Sequence, residues 1–342
     1  MARRPTIADV AALAGVSRAT VSFVLNNRPG VALTTQQRVR AAAEKLGWTP
    51  SSSARALSTG RARAVGLVLT REPELIGNDP FYPAFMAGIE SVISESGDGL
   101  MLQISRPGDE IDTYRRLAAD RRVDGVFLTD LRVDDPRPAL VEELGLPAVA
   151  VGADGQSFGL AQVNLDDRPV VSAAVRHLIG LGHRDIAYVA GPQEFRHARR
   201  RQLAWADTLA EAGLPPGPVR SGGFTAEGGA RATRSLIDGP DRPTAIVYAN
   251  DLSATAGMAV AQEAGLRLPD DLSVVGFDDV PLASWTHPPL TTCRADATDW
   301  GRAAARTLAR VIEEGTAPDV ELAPATLVVR GSTGPAPSAT AR

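Results

Sequence analysis

Arg18, Ala19, Ser22, Phe23 and Asn26 fall on one side of a short helical stretch when residues advance by about 100° each. That side carries a guanidinium, a methyl, a hydroxyl, a ring and an amide. Such a set suits contacts to phosphates and base edges better than bond-making chemistry. Arg18 can donate two hydrogen bonds to a guanine, whereas Ala19 offers only a methyl. Phe23 has open readings: contact with a thymine methyl, cover for a sugar edge, or packing within its own module. Ser17, Thr20, Ser22 and Asn26 are candidates for phosphate contacts, which set register without reading sequence.

The elements that must position these groups are two short helices within Thr6–Asn26. Thr6 followed by Asp9 makes a capping-box-like start, and Ile7, Val10, Ala11 and Ala14 have helical spacing. Gly15 permits a turn, and Ser17 can cap the second helix. Val21, Val24 and Leu25 give that helix an inner face. The pattern describes a helix-turn-helix; the alternative is an ordinary helical hairpin inside a bundle. A third helix is expected over Thr35–Leu46, capped by Thr34 or Thr35, its apolar residues closing a small core with Trp48. Pro50 breaks the chain, and the helical pattern that opens at Ser51 is too short to be stable alone.

Charge divides the 342 residues unevenly. Residues 1–63 hold ten basic and two acidic groups, a balance of +8, and the remainder carries −12. A basic head on an acidic body implies that only the head meets a polyanion. Lys45 is the single lysine, which excludes a Walker A loop and Schiff-base chemistry in the body. Cys293 is the single cysteine, and the four histidines lack metal-ligand spacing, so neither a cofactor nor a metal is expected. With no signal peptide and no membrane-spanning run, the protein is expected in the cytoplasm.

The head then becomes specific. Thr-Ile-Ala-Asp-Val-Ala, Gly-Val-Ser-x-x-Thr-Val-Ser, Val-Leu-Asn and Gly-Trp-Thr-Pro-x-x-x-Ala-Arg-x-Leu, in that order and spacing, resemble the DNA-binding region of the LacI/GalR family of bacterial transcription regulators. The resemblance places Arg18, Ala19 and Phe23 at base-reading positions and Thr6 among the DNA contacts. It makes residues 51–58 a hinge helix that orders on DNA beside its dimer mate. Leu57 matches the leucine that wedges into the minor groove and kinks the duplex, with Ala54 and Arg55 close enough to enter too.

From residue 64 onward, short apolar runs alternate with helical stretches, the pattern of parallel α/β sheets. Strands are expected at Val65–Leu69, Leu100–Ile104, Gly125–Leu128, Ala148–Val151, Ile186–Ala190, Ala245–Tyr248 and Ser273–Phe277. So many strands favour two lobes. The layout resembles the family's effector-binding core, similar to periplasmic sugar-binding proteins. The fold class is therefore α/β: an all-α helix-turn-helix head (1–50), a hinge and linker (51–63), and a two-lobed core with parallel sheets (64–330). The N-lobe would hold about 64–163 and 293–323, and the C-lobe about 164–291 and 324–330, with crossings near 163, 292 and 324. Residues 331–342, small and proline-containing, are expected to be disordered.

Ligands of open α/β sheets bind beyond the carboxyl ends of strands, where Asn250 and Asp278 stand. The resemblance adds Arg201 as an effector-contacting arginine, Phe224 and one of Phe81 or Tyr82 as stacking aromatics, and Asp166 on the second rim. His197 and Phe195 stand where purine-responsive members carry polar contacts, which turns the expectation towards a sugar or sugar derivative. Alternatives remain for several residues. Asp278 or Asp279 can cap a turn, Arg201 can pair with a surface acid, and Trp205, Trp300 and Cys293 read as core. The implied whole is a homodimeric repressor on a near-palindromic double-stranded operator, released or recruited by a carbohydrate, without membrane association. A leucine heptad that would make tetramers is absent. The rivals are a sugar-processing enzyme and a plain binding protein. The first lacks a nucleophile motif, and the second leaves the +8 head without a purpose.

Overall fold

The computed structural model describes residues 5–26, 28–48, 61–71, 77, 79–153, 158–239 and 241–338. The head contains α1 (Ile7–Ala14), α2 (Arg18–Leu25) and α3 (Leu33–Lys45). Thr6 donates to Asp9 Oδ2 through its backbone N–H at 2.8 Å and its hydroxyl at 2.7 Å, which fixes the start of α1. Gly15 ends it at φ +64°, a left-handed turn that costs other residues about 1–2 kcal/mol, and α2 leaves at about 100° to α1. Ser17 Oγ accepts from Thr20 N at 3.1 Å and caps α2. Arg38 of α3 donates to the carbonyls of Ala14 and Gly15, which the end of α1 leaves unpaired.

Val10, Ala14, Val21, Val24, Val39 and Ala43 form the head's own core, with Trp48 packed against it. α3 starts earlier than its threonines suggested. The carbonyl of Ala32 accepts from Thr35 N and Gln36 N at 3.0 Å each, so Thr34 and Thr35 lie within the first turn and cap nothing.

The body has twelve strands among the described residues: β1 (Ala64–Leu69), β2 (Gly99–Ile104), β3 (Gly125–Leu128), β4 (Ala148–Val151), β5 (Ala161–Asn164), β6 (Ile186–Ala190), β7 (Val219–Ser221), β8 (Ala245–Tyr248), β9 (Ser273–Asp278), β10 (Thr291–Arg294), β11 (Val320–Glu321) and β12 (Thr326–Val328). Its helices are α4 (Phe81–Ser96), α5 (Glu110–Ala119), α6 (Arg137–Glu143), α7 (Arg168–Gly180), α8 (Arg196–Glu211), α9 (Ala226–Ile237), α10 (Asp251–Glu263) and α11 (Ala297–Glu314). Two six-stranded sheets result, ordered β2-β1-β3-β4-β5-β11 and β7-β6-β8-β9-β10-β12. All pairs are parallel except β10 with β12. Each sheet has helices on both faces, which explains strands such as β3, β4 and β8 that are buried along their whole length.

The chain crosses between lobes three times. β5 still belongs to the N-lobe sheet, so the first crossing follows Asn164, and β10 keeps residues to Arg294 in the C-lobe. The last crossing lies between β11 and β12. Helix α11 returns to the N-lobe, where Trp300, Ala304 and Leu308 join the core formed by Leu67, Phe85 and Phe127. On the rim opposite the crossings, the lobes touch through backbone. Val133 N donates to Glu194 O at 3.1 Å, and Arg196 N to Leu131 O at 2.9 Å.

Residues 331–338 are packed, contrary to the expected disorder. Ser332 is fully buried and bonds Val274 O at 2.6 Å and Thr291 N at 2.8 Å through its hydroxyl. Gly334 O lies 3.0 Å from His183 Nε2, and Ala336 N donates to Leu181 O at 2.9 Å. The segment is held by hydrogen bonds rather than by apolar side chains, which is why its composition reads as unstructured. Among the described residues, no single helix is long and apolar enough to cross a membrane.

Candidate functional site

In the sheet orders above, neighbours β1 and β3 in the N-lobe, and β6 and β8 in the C-lobe, send their connections to opposite sides. Such switch points open a crevice at the carboxyl ends of the strands. The two crevices face each other and enclose about 580 Å³, part of it the open mouth.

Arg71 follows β1 and Asp130 follows β3. Their side chains form a two-point ion pair, with Nε and one Nη of Arg71 each 2.8 Å from an Asp130 oxygen. Tyr82, the second residue of α4, donates its hydroxyl to Asp130 at 2.6 Å. Burial alone would push the Asp130 carboxyl up, but the charge and hydrogen bonds of Arg71 hold it well below the usual carboxylate range. The Arg71 guanidinium also reaches the other lobe, 4.9 Å from the ring centre of Phe195 and 5.4 Å from that of Phe224. Phe81 and Trp300 complete the N-lobe wall, edge to face at 5.9 Å.

The C-lobe wall is a stack of rings. His197 lies parallel to Phe224 at 5.5 Å and to Phe195 at 5.8 Å. Gly191, just after β6, leaves room for Phe224, since a Cβ there would sit 2.3 Å from the ring. Burial, helped by Arg201, pushes the His197 imidazole down to about 3, so the ring is neutral at physiological pH. Arg201 is buried beneath the stack, donating to Asp167 Oδ2 at 2.7 Å and Ala249 O at 2.9 Å. Its neighbour Arg200 takes the other Asp167 oxygen at 2.6 Å. Asn250 caps α10 by accepting from Ser253 N at 3.1 Å and donates to Phe224 O at 3.1 Å. Asp278, at the end of β9, points its carboxyl into the same space.

Phe81, Tyr82, His197, Arg201, Phe224, Asn250 and Asp278 thus line one cleft. Asp166 does not: it is exposed and paired with Arg168 at 2.9 Å. The adjacent Asp167 is the buried one, because it is the acid that α7 turns towards Arg200 and Arg201. Arg201 therefore has a buried partner rather than a surface acid, and Asp279 pairs with Arg294 and Arg330 outside the cleft lining. Trp205 is core, and Trp300 is both core and lining. Arg71, Asp79, Thr129 and Asp130 escaped the sequence reading. The rule that found Asn250 would have found Arg71 and Asp130, since both follow strands.

On the head, Arg18, Ala19 and Ser17 are exposed along α2, and Thr20, Ser22 and Asn26 are partly so. Phe23 is 43% exposed with Arg28 over its ring at 5.7 Å, so it does not pack into the head's core. Thr6 is turned to Asp9. Ala54, Arg55 and Leu57 lie outside the described residues.

Comparison with known proteins fits this two-part architecture. Residues 6–51 match the model for bacterial regulatory proteins of the lacI family, and residues 175–333 match a periplasmic binding protein-like domain. The regulator CelR of Thermobifida fusca is 36% identical over 324 residues, covering 92% of this chain and 94% of that protein. MalR of Streptomyces coelicolor is 38% identical over 344 residues, covering 97% of each. Among solved structures, a CelR–cellobiose complex is 34% identical with a TM-score of 0.74, covering 96% of this chain and all of that one. A lac repressor dimer bound to operator and an anti-inducer is 27% identical with a TM-score of 0.84, covering 97% of this chain and all of that one. With a recognition-type helix exposed on a separate head and a ringed, polar cleft between two lobes, the chain belongs to the lacI family of bacterial regulatory proteins, which are DNA-binding transcriptional regulators controlled by small molecules.

Proposed function

We propose that the protein is a homodimeric repressor whose affinity for a near-palindromic operator is set by a carbohydrate bound between the lobes. It is read as a regulator and not as an enzyme. The observation that carries this reading is that one cleft takes its walls from both lobes, with rings on each side and carboxylate, amide and guanidinium groups between them. Apolar ring faces cover the C–H faces of a sugar, and the polar groups meet its hydroxyls. Cellobiose in the CelR complex supports the ligand class, and the operator-bound lac repressor dimer supports the partner and the assembly.

Arg18, Ala19 and Phe23 read bases in the major groove, and Ser17, Thr20, Ser22 and Asn26 set register on phosphates. Leu57, with Ala54 and Arg55 beside it, enters the minor groove at the operator centre. Ligand and DNA are linked: whatever factor the ligand applies to operator affinity, the operator applies to ligand affinity. The test is operator binding by fluorescence anisotropy with and without glucose, maltose and cellobiose. A sugar that shifts the midpoint supports the reading, and operator binding indifferent to every sugar overturns it. Leu57→Ala is expected to weaken operator binding far more than binding to unrelated duplex, and equal losses would remove the wedge.

A further inference from the structure

Ala62 and Arg63 are the last residues that the chain passes on its way from the head to β1. Both donate backbone N–H groups to one carboxylate, Ala62 N to Asp124 Oδ1 at 2.6 Å and Arg63 N to Asp124 Oδ2 at 2.8 Å. Arg61 Nε lies 3.7 Å from the same Oδ2. The backbone adds two ties: Asp124 N donates to Ala64 O at 2.7 Å, and Gly99 N, at the start of β2, to Arg63 O at 3.1 Å. The carboxylate is itself held in place. Asp124 stands between Val123, buried in the core with Tyr114 and Leu117 of α5, and Gly125, where a Cβ would sit 3.0 Å from Pro147 O. Arg63 is kept at φ +55°, a region that residues with a side chain seldom adopt and that persists only where the surroundings over-determine it. This clamp lies at the amino ends of β1 and β3, whereas the cleft lies at their carboxyl ends, so it does not touch the effector.

We infer that Asp124 is a positioning residue for operator recognition: its carboxylate fixes the direction in which the chain leaves the body, and through it the separation of the two heads of a dimer. The inference rests on the operator reading above, in which residues 51–58 form a hinge helix on DNA. Only Thr59 and Gly60 then separate that helix from Arg61. A residue spans at most about 3.6 Å, so two of them leave little slack to absorb a new exit direction. A dimeric helix-turn-helix protein needs its half-sites a set distance apart, so the separation of the heads is read out as half-site spacing. Removing the carboxylate takes the acceptor from two backbone N–H groups and removes the main restraint on Arg63. The return of Arg63 to negative φ then swings the chain upstream of it.

The experiment uses the full chain and the near-palindromic duplex that the wild type selects from a randomised pool, with copies of it in which one base pair is inserted at or deleted from the centre. The wild type is expected to bind the selected spacing about tenfold tighter or more, because one base pair turns the second half-site by about a tenth of a helical turn. Asp124→Ala is expected to bring that ratio close to one, mostly by weakening binding to the selected duplex. Asp124→Asn keeps an acceptor for one of the two N–H groups and is expected to fall between. A carboxylate that only stabilised the lobe would change every affinity by the same factor when removed. A spacing ratio that stays at the wild-type value therefore overturns the inference and leaves the operator reading standing. Should Asp124→Ala lack a cooperative melt, the ratio in Asp124→Asn decides by the same rule. If the wild type selects no symmetric duplex, the operator reading falls, and the positioning role with it.

Discussion

Arg71 and Asp130 join the ends of two adjacent strands, β1 and β3, through a two-point ion pair at 2.8 Å per contact. The pair sits at the N-lobe switch point, and its guanidinium lies against the rings of the other lobe. It is both a wall of the cleft and a contact between lobes.

Asp130→Ala leaves the Arg71 cation buried without its main partner. Breaking one side of a buried pair costs about 3–5 kcal/mol, which urea unfolding would register as a lower midpoint. The double variant Arg71→Met with Asp130→Leu is expected to recover most of that loss, because neither charge is then stranded.

Arg18 is the exposed guanidinium at the first turn of α2. Arg18→Ala is expected to cost about 1–3 kcal/mol in operator binding and to relax sequence preference at one base pair in each half-site. Competition with single-base operator variants measures it; a loss equal for all sequences would make Arg18 a phosphate contact.

Asp278 lines the cleft and stands apart from the head. Asp278→Ala is expected to remove the effector response and leave operator binding without effector intact. Anisotropy titrations report both quantities, and an unchanged effector midpoint would place the pocket elsewhere.

Asp251, buried at the start of α10, accepts from Thr292 Oγ1 at 2.6 Å and Val280 N at 2.9 Å. Burial pushes its carboxyl up to about 7. A carboxyl whose folded value is raised gives stability that is full below about pH 4 and lost as pH rises through 7, by about 4 kcal/mol at most. Asp251→Asn removes this dependence. Thermal melts are expected to favour the wild type at pH 5 and the variant at pH 8.

Ser332 and Gly334 tie the end of the chain to β9, β10 and the buried His183. Truncation after Arg330 removes these bonds and leaves buried acceptors and donors open. At about 1 kcal/mol per hydrogen bond, with more for stranded groups, the expected loss is roughly 2–5 kcal/mol. Chemical denaturation of the truncated chain checks it.

Most of the architecture was legible because its long elements carry strong patterns. The helices from α4 to α11 and the apolar strands β1 to β4, β6, β8 and β9 declare themselves by periodicity and by runs such as Ala-Val-Ala-Val. Strands β5, β7 and β10 to β12 did not. Ala-Gln-Val-Asn and Thr-Thr-Cys-Arg have no continuous apolar run, and they become strands because a neighbouring strand offers its backbone. The C-lobe half of the cleft was readable from Asn250 and Asp278. In the N-lobe half the resemblance gave Phe81 and Tyr82, whereas Arg71, Asp79 and Asp130 carry no motif and read as ordinary charges unless the strand-end rule is applied at the switch point between β1 and β3. The resemblance gives Asp166, but the structure buries Asp167 against Arg200 and Arg201; adjacent acids are told apart only by the direction in which α7 starts.

The return of α11 and β11 to the first lobe bears on how the protein is made. A ribosome emits chains from the amino end at about 5–20 residues per second, and domains generally fold as they emerge. Here Trp300, Ala304 and Leu308 belong to the core of the N-lobe. The half that is translated earlier must therefore wait, its α4 face bare, until the half translated later is nearly complete. Nascent chains stalled before residue 297 should therefore expose the bare α4 face of the N-lobe to chaperones and proteases.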